Sequence, residues 1–273
     1  MVTGHAKFTR MLVYLQVLLV VIFLLAPVAW MIICSFKQPS DVTSYPPTLF
    51  FAPTLDNYRT LFERTPFAQY TLNSLIVAGG STFLGVLLGI PASFGISWSR
   101  ITWPATLTLI ARMAPGALFL IPWYILFRAM GLLGTYWALI ITHAAITLPI
   151  IIWVTLSFFD SIPRSVLESA QIDGCSNMTI LRRIAIPLAL PGIVVAVILG
   201  FVFSWNYFLF AIVLCDSDTK TLIAAAFNFI GEGSTNWGAL MASAVIIAAP
   251  PVLLALSVQK RLVGGLTVGA VKG

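Results

Sequence analysis

The strongest constraint on this chain is an apolar segment of 24 residues, Met11–Cys34, in which Gln16 is the only strongly polar side chain. A helix needs about 20 apolar residues to cross the hydrocarbon core of a bilayer, which is roughly 30 Å thick. The 15 Leu, Ile, Val and Phe residues of this segment contribute up to about 5–9 kcal/mol of insertion free energy. No A-x-A-like cleavage site follows, so we expect the segment to remain in the membrane as a helix.

Five further apolar segments follow, and only 9% of the 273 residues are charged. Soluble domains carry about a quarter of their residues as charges, so a soluble or disordered chain is excluded. The segments are Thr71–Trp98, Pro104–Phe127, Thr135–Phe159, Leu188–Leu214 and Gly238–Val258. The sequence thus predicts an all-α integral membrane protein with six transmembrane helices, comprising residues 11–259, after a short N-terminus (1–10) and before a tail (260–273). Gly85 and Gly89, one turn apart on the second span, predict a close helix–helix approach.

Several function classes are excluded by what the chain lacks. Its net charge of +6 is spread between apolar segments, so it forms no basic patch for nucleic acid. Three cysteines and two histidines suit neither a disulfide framework nor a histidine metal site. No G-x-x-x-x-G-K-[ST] loop occurs, so the chain alone should not bind and hydrolyse ATP.

The basic residues of the loops predict the orientation in the membrane. With both termini cytoplasmic, the inner segments hold nine Lys and Arg residues and the outer segments hold five, the asymmetry that the positive-inside rule requires. The outer loop of residues 35–70 is rich in proline, which indicates a rigid, irregular cap. Composition does not decide whether this cap only connects two spans or docks an external partner.

The inner loop of residues 160–187 is the most informative part of the chain. Pro163 suits a first helical position after Asp160 or Ser161, and the helix Arg164–Ile172 would then place Val166, Ala170 and Ile172 near one face. Gly174 can adopt the positive φ that ends this helix.

Ser176 or Asn177 can cap a second short helix that runs through Arg183 and stops at Pro187. We therefore expect a compact helix–glycine–helix projection that can press into the cleft of a partner.

This loop resembles the EAA loop of binding-protein-dependent ABC importer permeases. Glu168, Ser169 and Ala170, then three residues, Gly174, nine residues, and Ile184-x-Ile186-Pro187 follow the family pattern E-A-A, x3, G, x9, I-x-L-P. Ser169 and Ile186 depart from that pattern by small changes of size.

The resemblance extends along nearly the whole chain and is closest to the second, six-span permease of maltose-type carbohydrate importers. The matching segments are Ser35-Phe36-Lys37, Asn57-Tyr58, Asn73-Ser74, Trp205-Asn206 and the glycine-rich tail Gly265–Gly273. It implies the type I ABC importer permease fold in a bacterial cytoplasmic membrane. The implied partners are a second permease chain, two ATPase subunits that hold ATP and Mg, and an extracytoplasmic sugar-binding protein; no cofactor is expected on this chain.

The resemblance also assigns roles to residues. The ATPase-coupling residues would be Glu168, Ser169, Ala170, Gly174, Ile184 and Pro187. Composition alone favours a flexible basic anchor for the tail, whereas the resemblance favours a contact with the ATPase subunits through Gly269, Ala270 and Lys272. Residue chemistry, and not the resemblance, gives a candidate solute pathway of Arg112, Asn73, Asn206, Tyr207 and Phe208. For Asn73 and Asn206, hydrogen bonding between helices is the default role.

Arg112 leaves several interpretations open, because none of the nine acidic residues is predicted within a span. Its guanidinium could pair with backbone carbonyls or a partner subunit, face a water-filled vestibule, or bind an anionic group such as the phosphate, sulfonate or carboxylate of a sugar derivative. Two alternatives to a sugar permease also remain: an ABC importer permease for another small solute, and a membrane-embedded enzyme acting on lipid, for which the spans offer no paired carboxylates.

Overall fold

The computed structural model describes residues 2–230 and 235–270, with side chains for 9–63, 65–230 and 235–257. The regular secondary structure of the described part is helical, as the sequence predicts, apart from one isolated bridge between Ile230 and Thr235. In chain order the helices are α1 (Val2–Ser35), α2 (Pro39–Val42), α3 (Asp56–Arg64), α4 (Phe67–Ser99), α5 (Trp103–Met113), α6 (Leu120–Ala129), α7 (Tyr136–Asp160), α8 (Arg164–Ile172), α9 (Asn177–Ile180), α10 (Ile186–Trp205), α11 (Leu209–Leu214), α12 (Leu222–Ala226) and α13 (Trp237–Ala270).

Five helical segments are long and apolar enough to cross a membrane. They are Thr9–Ser35, Phe67–Ser99, Tyr136–Asp160, Asn177–Trp205 and Trp237–Ser257. A sixth results if the bent pair Trp103–Met113 and Gly116–Ala129 counts as one span. The six predicted segments thus each correspond to helix, but two of them are broken.

The third predicted span, Pro104–Phe127, bends by 90° between α5 and the 3₁₀ turn Gly116–Phe119 that leads into α6. Pro115 lacks an amide hydrogen, and a proline also disfavours the α conformation in the residue before it. Ala114 accordingly has φ −66° and ψ 129°, which is extended backbone. The break therefore follows from Pro115.

The fifth predicted span, Leu188–Leu214, is wrong at its C-terminal end. Helix α10 stops at Trp205, and α11 begins only at Leu209. The side-chain amide of Asn206 donates a hydrogen bond to the carbonyl of Val202 (2.8 Å), which competes with continuation of the helix. Residues 206–208 therefore form a second break.

The chain divides into two compact units, one of which comprises Phe67–Ala225 and Ala249–Gly273. Helices α4, α7 and α10 pack together in this unit. A Cβ atom added to Gly85 would lie 2.7 Å from Ile151 Cδ1, and one added to Gly89 would lie 2.9 Å from Ile151 Cγ2. The predicted close approach of the second span is therefore confirmed, and its neighbour is α7.

The other unit comprises Met1–Pro66 and Ala226–Ala248. Lys37 is buried, with its Nζ donating to the Thr48 carbonyl (2.6 Å) and lying over the rings of Trp30 and Phe51. The amide of Asn57 donates to the carbonyl oxygens of Ser35 and Lys37 (2.9 and 2.7 Å). The predicted cap of residues 35–70 is thus anchored at the end of α1 by the segments that carry the family resemblance there.

Candidate functional site

The loop of residues 160–187 begins with α8, which buries one face in the core. Leu167 and Ala170 lie in one buried apolar cluster with Phe94 of α4 and Phe159 of α7. Val166 and Ile172, predicted near the same face as Ala170, are not buried with it. They are 40% and 86% exposed, because the apolar spacing i, i+3 of Leu167 and Ala170 defines the inward face instead.

The ends of α8 agree only in part with expectation. Pro163 precedes the helix as its N-cap and is not its first residue, and neither Asp160 nor Ser161 caps it. Gly174 has φ +81°, as predicted. Ser176 Oγ then accepts a hydrogen bond from the Thr179 amide (3.3 Å), which confirms Ser176 as the cap of the second helix.

The second helix does not stop at Pro187, as the sequence suggested. Helix α9 continues through a π segment, Leu181–Ala185, directly into α10. The Ile186 amide donates to the Leu181 carbonyl, five residues back. Pro187, which lacks an amide hydrogen, follows this wider turn as the second residue of α10. The second half of the loop and the fifth span therefore form one continuous helix, Asn177–Trp205.

The motif residues divide between the core and the surface. Ala170 is buried, and Ile184 packs partly buried against the same cluster. Ser169 is exposed and its hydroxyl donates to the Val166 carbonyl within α8. Glu168 is exposed and has no ion pair in the described part of the chain.

A cleft of about 500 Å³ lies between α8 and the end of α4. Charges of both signs line it: Arg100, Asp160, Arg164 and Glu168. Ser97 joins its two walls, because the Ser97 hydroxyl donates to Asp160 (2.5 Å) and its carbonyl accepts from Arg164 (3.2 Å). The base of the loop is thereby fixed to the second span.

The outer face of the loop exposes apolar side chains. Ile172 and Met178, on either side of the Gly174 turn, are 86% and 49% exposed. An apolar projection on a rigid base can bury its exposed side chains in a partner and transmit a displacement to the helix behind it.

Asn73, predicted in the solute pathway, lies elsewhere. Its buried amide donates to the carbonyl oxygens of Asp218 and Lys220 (2.8 and 2.9 Å), and its oxygen accepts from the Tyr136 hydroxyl (2.7 Å). These bonds tie the loop after α11 to α4 and α7. The side chain is fully engaged in structure and offers no free group to a solute.

The same loop holds a hydrogen-bonded carboxylate. Burial raises the pKa of Asp216, but hydrogen bonds from the hydroxyl and amide of Thr219 and from the amide of Asp218 outweigh it, so the pKa lies below its ordinary value of 3.8. Asp216 is thus ionised at neutral pH and serves the loop's own fold.

Two side-chain contacts, made by four residues, join the regions around the two helix breaks. The Arg112 guanidinium lies over the ring of Phe203, 4.9 Å from its centroid, and makes no hydrogen bond or ion pair within the described residues. The Tyr207 hydroxyl lies directly against Gly116, at a position that a Cβ atom would occupy. Arg112 of the third span thus contacts the fifth span, and Tyr207 of the fifth span contacts the third.

A buried polar chain lies behind these breaks. The Ser81 hydroxyl donates to Ser204 Oγ (2.8 Å), and Ser204 Oγ is hydrogen-bonded to His143 Nδ1 (2.9 Å). The imidazole packs edge-to-face against Tyr207, with ring centroids 5.6 Å apart. These residues of α4, α7 and α10 were missed by the sequence analysis, although a histidine within an apolar span was a usable signal.

The remaining predicted residues lie in different places. Asn206 and Phe208 are exposed beside Tyr207 at the break of the fifth span. In the tail, Gly269 and Ala270 continue the backbone of α13, but their surroundings are outside the described residues, as is the whole of Lys272.

Residues 81–268 match the family described as binding-protein-dependent transport system inner membrane component. This range contains the 160–187 loop and both helix breaks.

Three relatives align along most of their own length. A protein of Sinorhizobium fredii named as a probable ABC transporter permease is 34% identical, covering 99% of each chain. The sulfoquinovosyl glycerol transport system permease protein of Agrobacterium fabrum is 34% identical over 91% of this chain and 89% of its own. The trehalose/maltose transport system permease protein of Thermococcus litoralis is 34% identical over 97% of each.

A solved structure shares the fold. A chain of a bacterial ABC transporter involved in the import of the acidic polysaccharide alginate superposes with a TM-score of 0.71, at 21% identity, covering 92% of this chain and 96% of its own. The architecture is therefore that of ABC importer permeases.

Proposed function

The chain belongs to the family of binding-protein-dependent transport system inner membrane components, and we propose that it moves a sugar or sugar derivative across the cytoplasmic membrane by alternating access. It is an ABC importer permease, a transport subunit and not an enzyme, since its full-length relatives are named as such. Relatives named for trehalose/maltose and for sulfoquinovosyl glycerol support a carbohydrate cargo. Another small solute is the alternative.

The proposed assembly pairs this chain with a second permease subunit, two ATPase subunits that bind ATP and Mg, and an extracytoplasmic binding protein. The family description, which names a binding-protein-dependent system, supports the last of these. The excess of Lys and Arg in the loops that would be cytoplasmic supports an orientation with both termini inside.

The observation that carries the coupling mechanism is the continuous helix from Asn177 to Trp205. We expect the ATPase to grip the 160–187 loop, whose exposed Ile172 and Met178 suit a hydrophobic cleft. Closure of the ATPase pair would then displace the loop, and the continuous helix would carry that displacement to the break at residues 206–208. A flexible tether could not transmit it.

Gly174→Val tests this role. Its φ of +81° strains a β-branched residue, although an added Cβ would meet no atom within 4 Å. We expect the turn to change, and with it the position of Ile172 relative to Met178. We expect the variant to insert into the membrane but to lose at least 90% of uptake.

Gly131→Val is the matched control. Gly131 also has a positive φ (+67°) with open space at its Cβ position, but it lies in the turn before α7. The control should keep most of its uptake. Normal uptake by Gly174→Val would refute the coupling role of the loop.

We also propose that the cargo carries a negative charge, which Arg112 recognises at the break of the third span. The guanidinium keeps its hydrogen-bond donors unused within the described part of the chain and is exposed beside Phe203. The sulfo group of a glycoside such as sulfoquinovosyl glycerol is an anion that guanidinium binds well.

A further inference from the structure

The break of the fifth span poses a structural problem, because residues 206–208 are irregular backbone next to an apolar span. Irregular backbone at membrane depth is tolerated only where protein covers it or where it lines a water-filled cavity. Asn206 is exposed and, within the described residues, its side-chain amide bonds to its own helix alone, so it does not fix the break in place. An anchor must come from the neighbouring residues.

Ser204, two residues before the break, provides that anchor. It is buried and hydrogen-bonded both to Ser81 of α4 and to His143 of α7. One hydroxyl thus joins three helices. Fully buried hydrogen bonds of this kind are strengthened by their surroundings and hold a single arrangement.

His143 extends the anchor to the break itself. Its ring packs edge-to-face against Tyr207, and the Tyr207 hydroxyl lies against Gly116 at the other break. The side chain of Tyr207 is therefore held between the imidazole and the third span. Tyr207 lies within the break itself, so both contacts act directly on residues 206–208.

Packing alone does not account for an imidazole at this position. His143 is 1% exposed, and its Nε2 has no hydrogen-bond partner among the described residues. A buried nitrogen without a partner is costly, and an apolar side chain of similar size would avoid that cost. The bond from Nδ1 to Ser204 is the polar contact that distinguishes histidine from such a side chain.

We infer that His143 is a positioning residue: bonded to Ser204 and packed on Tyr207, it holds residues 206–208 toward the translocation pathway without contacting the solute. The inference rests on the proposed function, because residues 206–208 can be oriented toward a translocation pathway only if the chain transports a solute. It assigns to Ser81, His143 and Ser204 a joint role in transport.

The test measures how fast a water-soluble methanethiosulfonate reagent labels Asn206→Cys in the assembled complex in liposomes. The background carries Cys34→Ala, Cys175→Ala and Cys215→Ala. Ser204→Ala removes the hydrogen bond but keeps both rings, and His143→Leu removes the bond and the imidazole. Each should release the break and speed labelling at least fivefold.

Thr155→Val is the matched control, because Thr155 also donates a buried hydrogen bond from α7 to α4, to Ser93 (2.7 Å), but does not contact Tyr207. It should leave the labelling rate within twofold. Ser217→Cys, in the exposed loop after α11, reports general loosening and should be labelled equally in all variants. The yield of assembled complex accompanies each rate.

The outcomes separate the two proposals. If Ser204→Ala and His143→Leu leave the labelling rate of the Asn206→Cys thiol unchanged or slower, the positioning role is overturned and the permease function stands. If that thiol is unreactive in every variant, including the background, no water reaches the break and the proposed pathway itself fails, since the reagent requires a hydrated thiolate.

Discussion

At the scale of single residues, Arg112 carries the largest unexplained cost. A guanidinium within an apolar span costs about 2.5–3.5 kcal/mol on the insertion scale. Its cation–π contact with Phe203 returns about 0.5–2 kcal/mol. The difference favours water or an anion at the unused donors, and this is the physical reason for proposing a charged cargo.

Arg112→Gln should therefore lower uptake of an anionic sugar at least tenfold and leave uptake of a neutral sugar within twofold. Radiolabelled sulfoquinovosyl glycerol and trehalose are suitable probes. Arg128→Gln is the control, because Arg128 is exposed in the last turn of α6, away from the break. A fall in trehalose uptake equal to that of the anion would contradict recognition of charge.

At the scale of elements, the π segment Leu181–Ala185 sets how the 160–187 loop faces the partner. A π turn holds one residue more than the α-helix it replaces. A further residue inserted there would rotate everything before it by about 100° and shift it by about 1.5 Å relative to the fifth span. Leu181 and Ala185, both buried in the segment, allow no such rotation without loss of packing.

Insertion of one alanine after Arg182, which is exposed, should impose that rotation and uncouple the loop from the ATPase. We expect the complex to insert into the membrane but to lose at least 80% of binding-protein-stimulated ATP hydrolysis in liposomes. Arg182→Ala keeps the length of the segment and should retain most of this activity. Full stimulation in the insertion variant would show that the register of this helix does not matter.

At the scale of the whole molecule, the tail is the second region proposed to contact the ATPase. The backbone of helix α13 extends to Ala270, past Val258, where the apolar segment predicted from the sequence ends. A basic anchor would act through charge alone, whereas a contact would require particular residues such as Gly269 and Lys272. The two alternatives therefore predict different effects of truncating the tail.

Truncation after Leu262 should reduce the amount of ATPase that co-purifies with the permease pair by at least fivefold, while insertion stays normal. Lys260→Gln is the control, because it removes one positive charge near the end of the span but keeps residues 263–273. A truncated chain that still retains its ATPase would identify the tail as a membrane anchor.

Local chemistry was enough to predict much of this protein. Apolar length placed the six spans, the positive φ of Gly174 and the Ser176 cap followed from residue type, and the spacing of Gly85 and Gly89 predicted close packing. Each of these features depends on interactions between residues close in sequence or on the bilayer, so it can be predicted from the sequence alone.

Long-range packing settled what local chemistry left open. Which face of α8 turns inward, whether Pro187 ends a helix or is absorbed by a π turn, and where Asn73 finds its partners all depend on groups distant in sequence. The pairing of Arg112 with Phe203 and the chain from Ser81 to His143 arise in the same way. The apolar spans have nearly uniform composition, so composition determines only that a segment lies in the membrane. The neighbours of each side chain are determined by shape complementarity and hydrogen bonding when the helices pack.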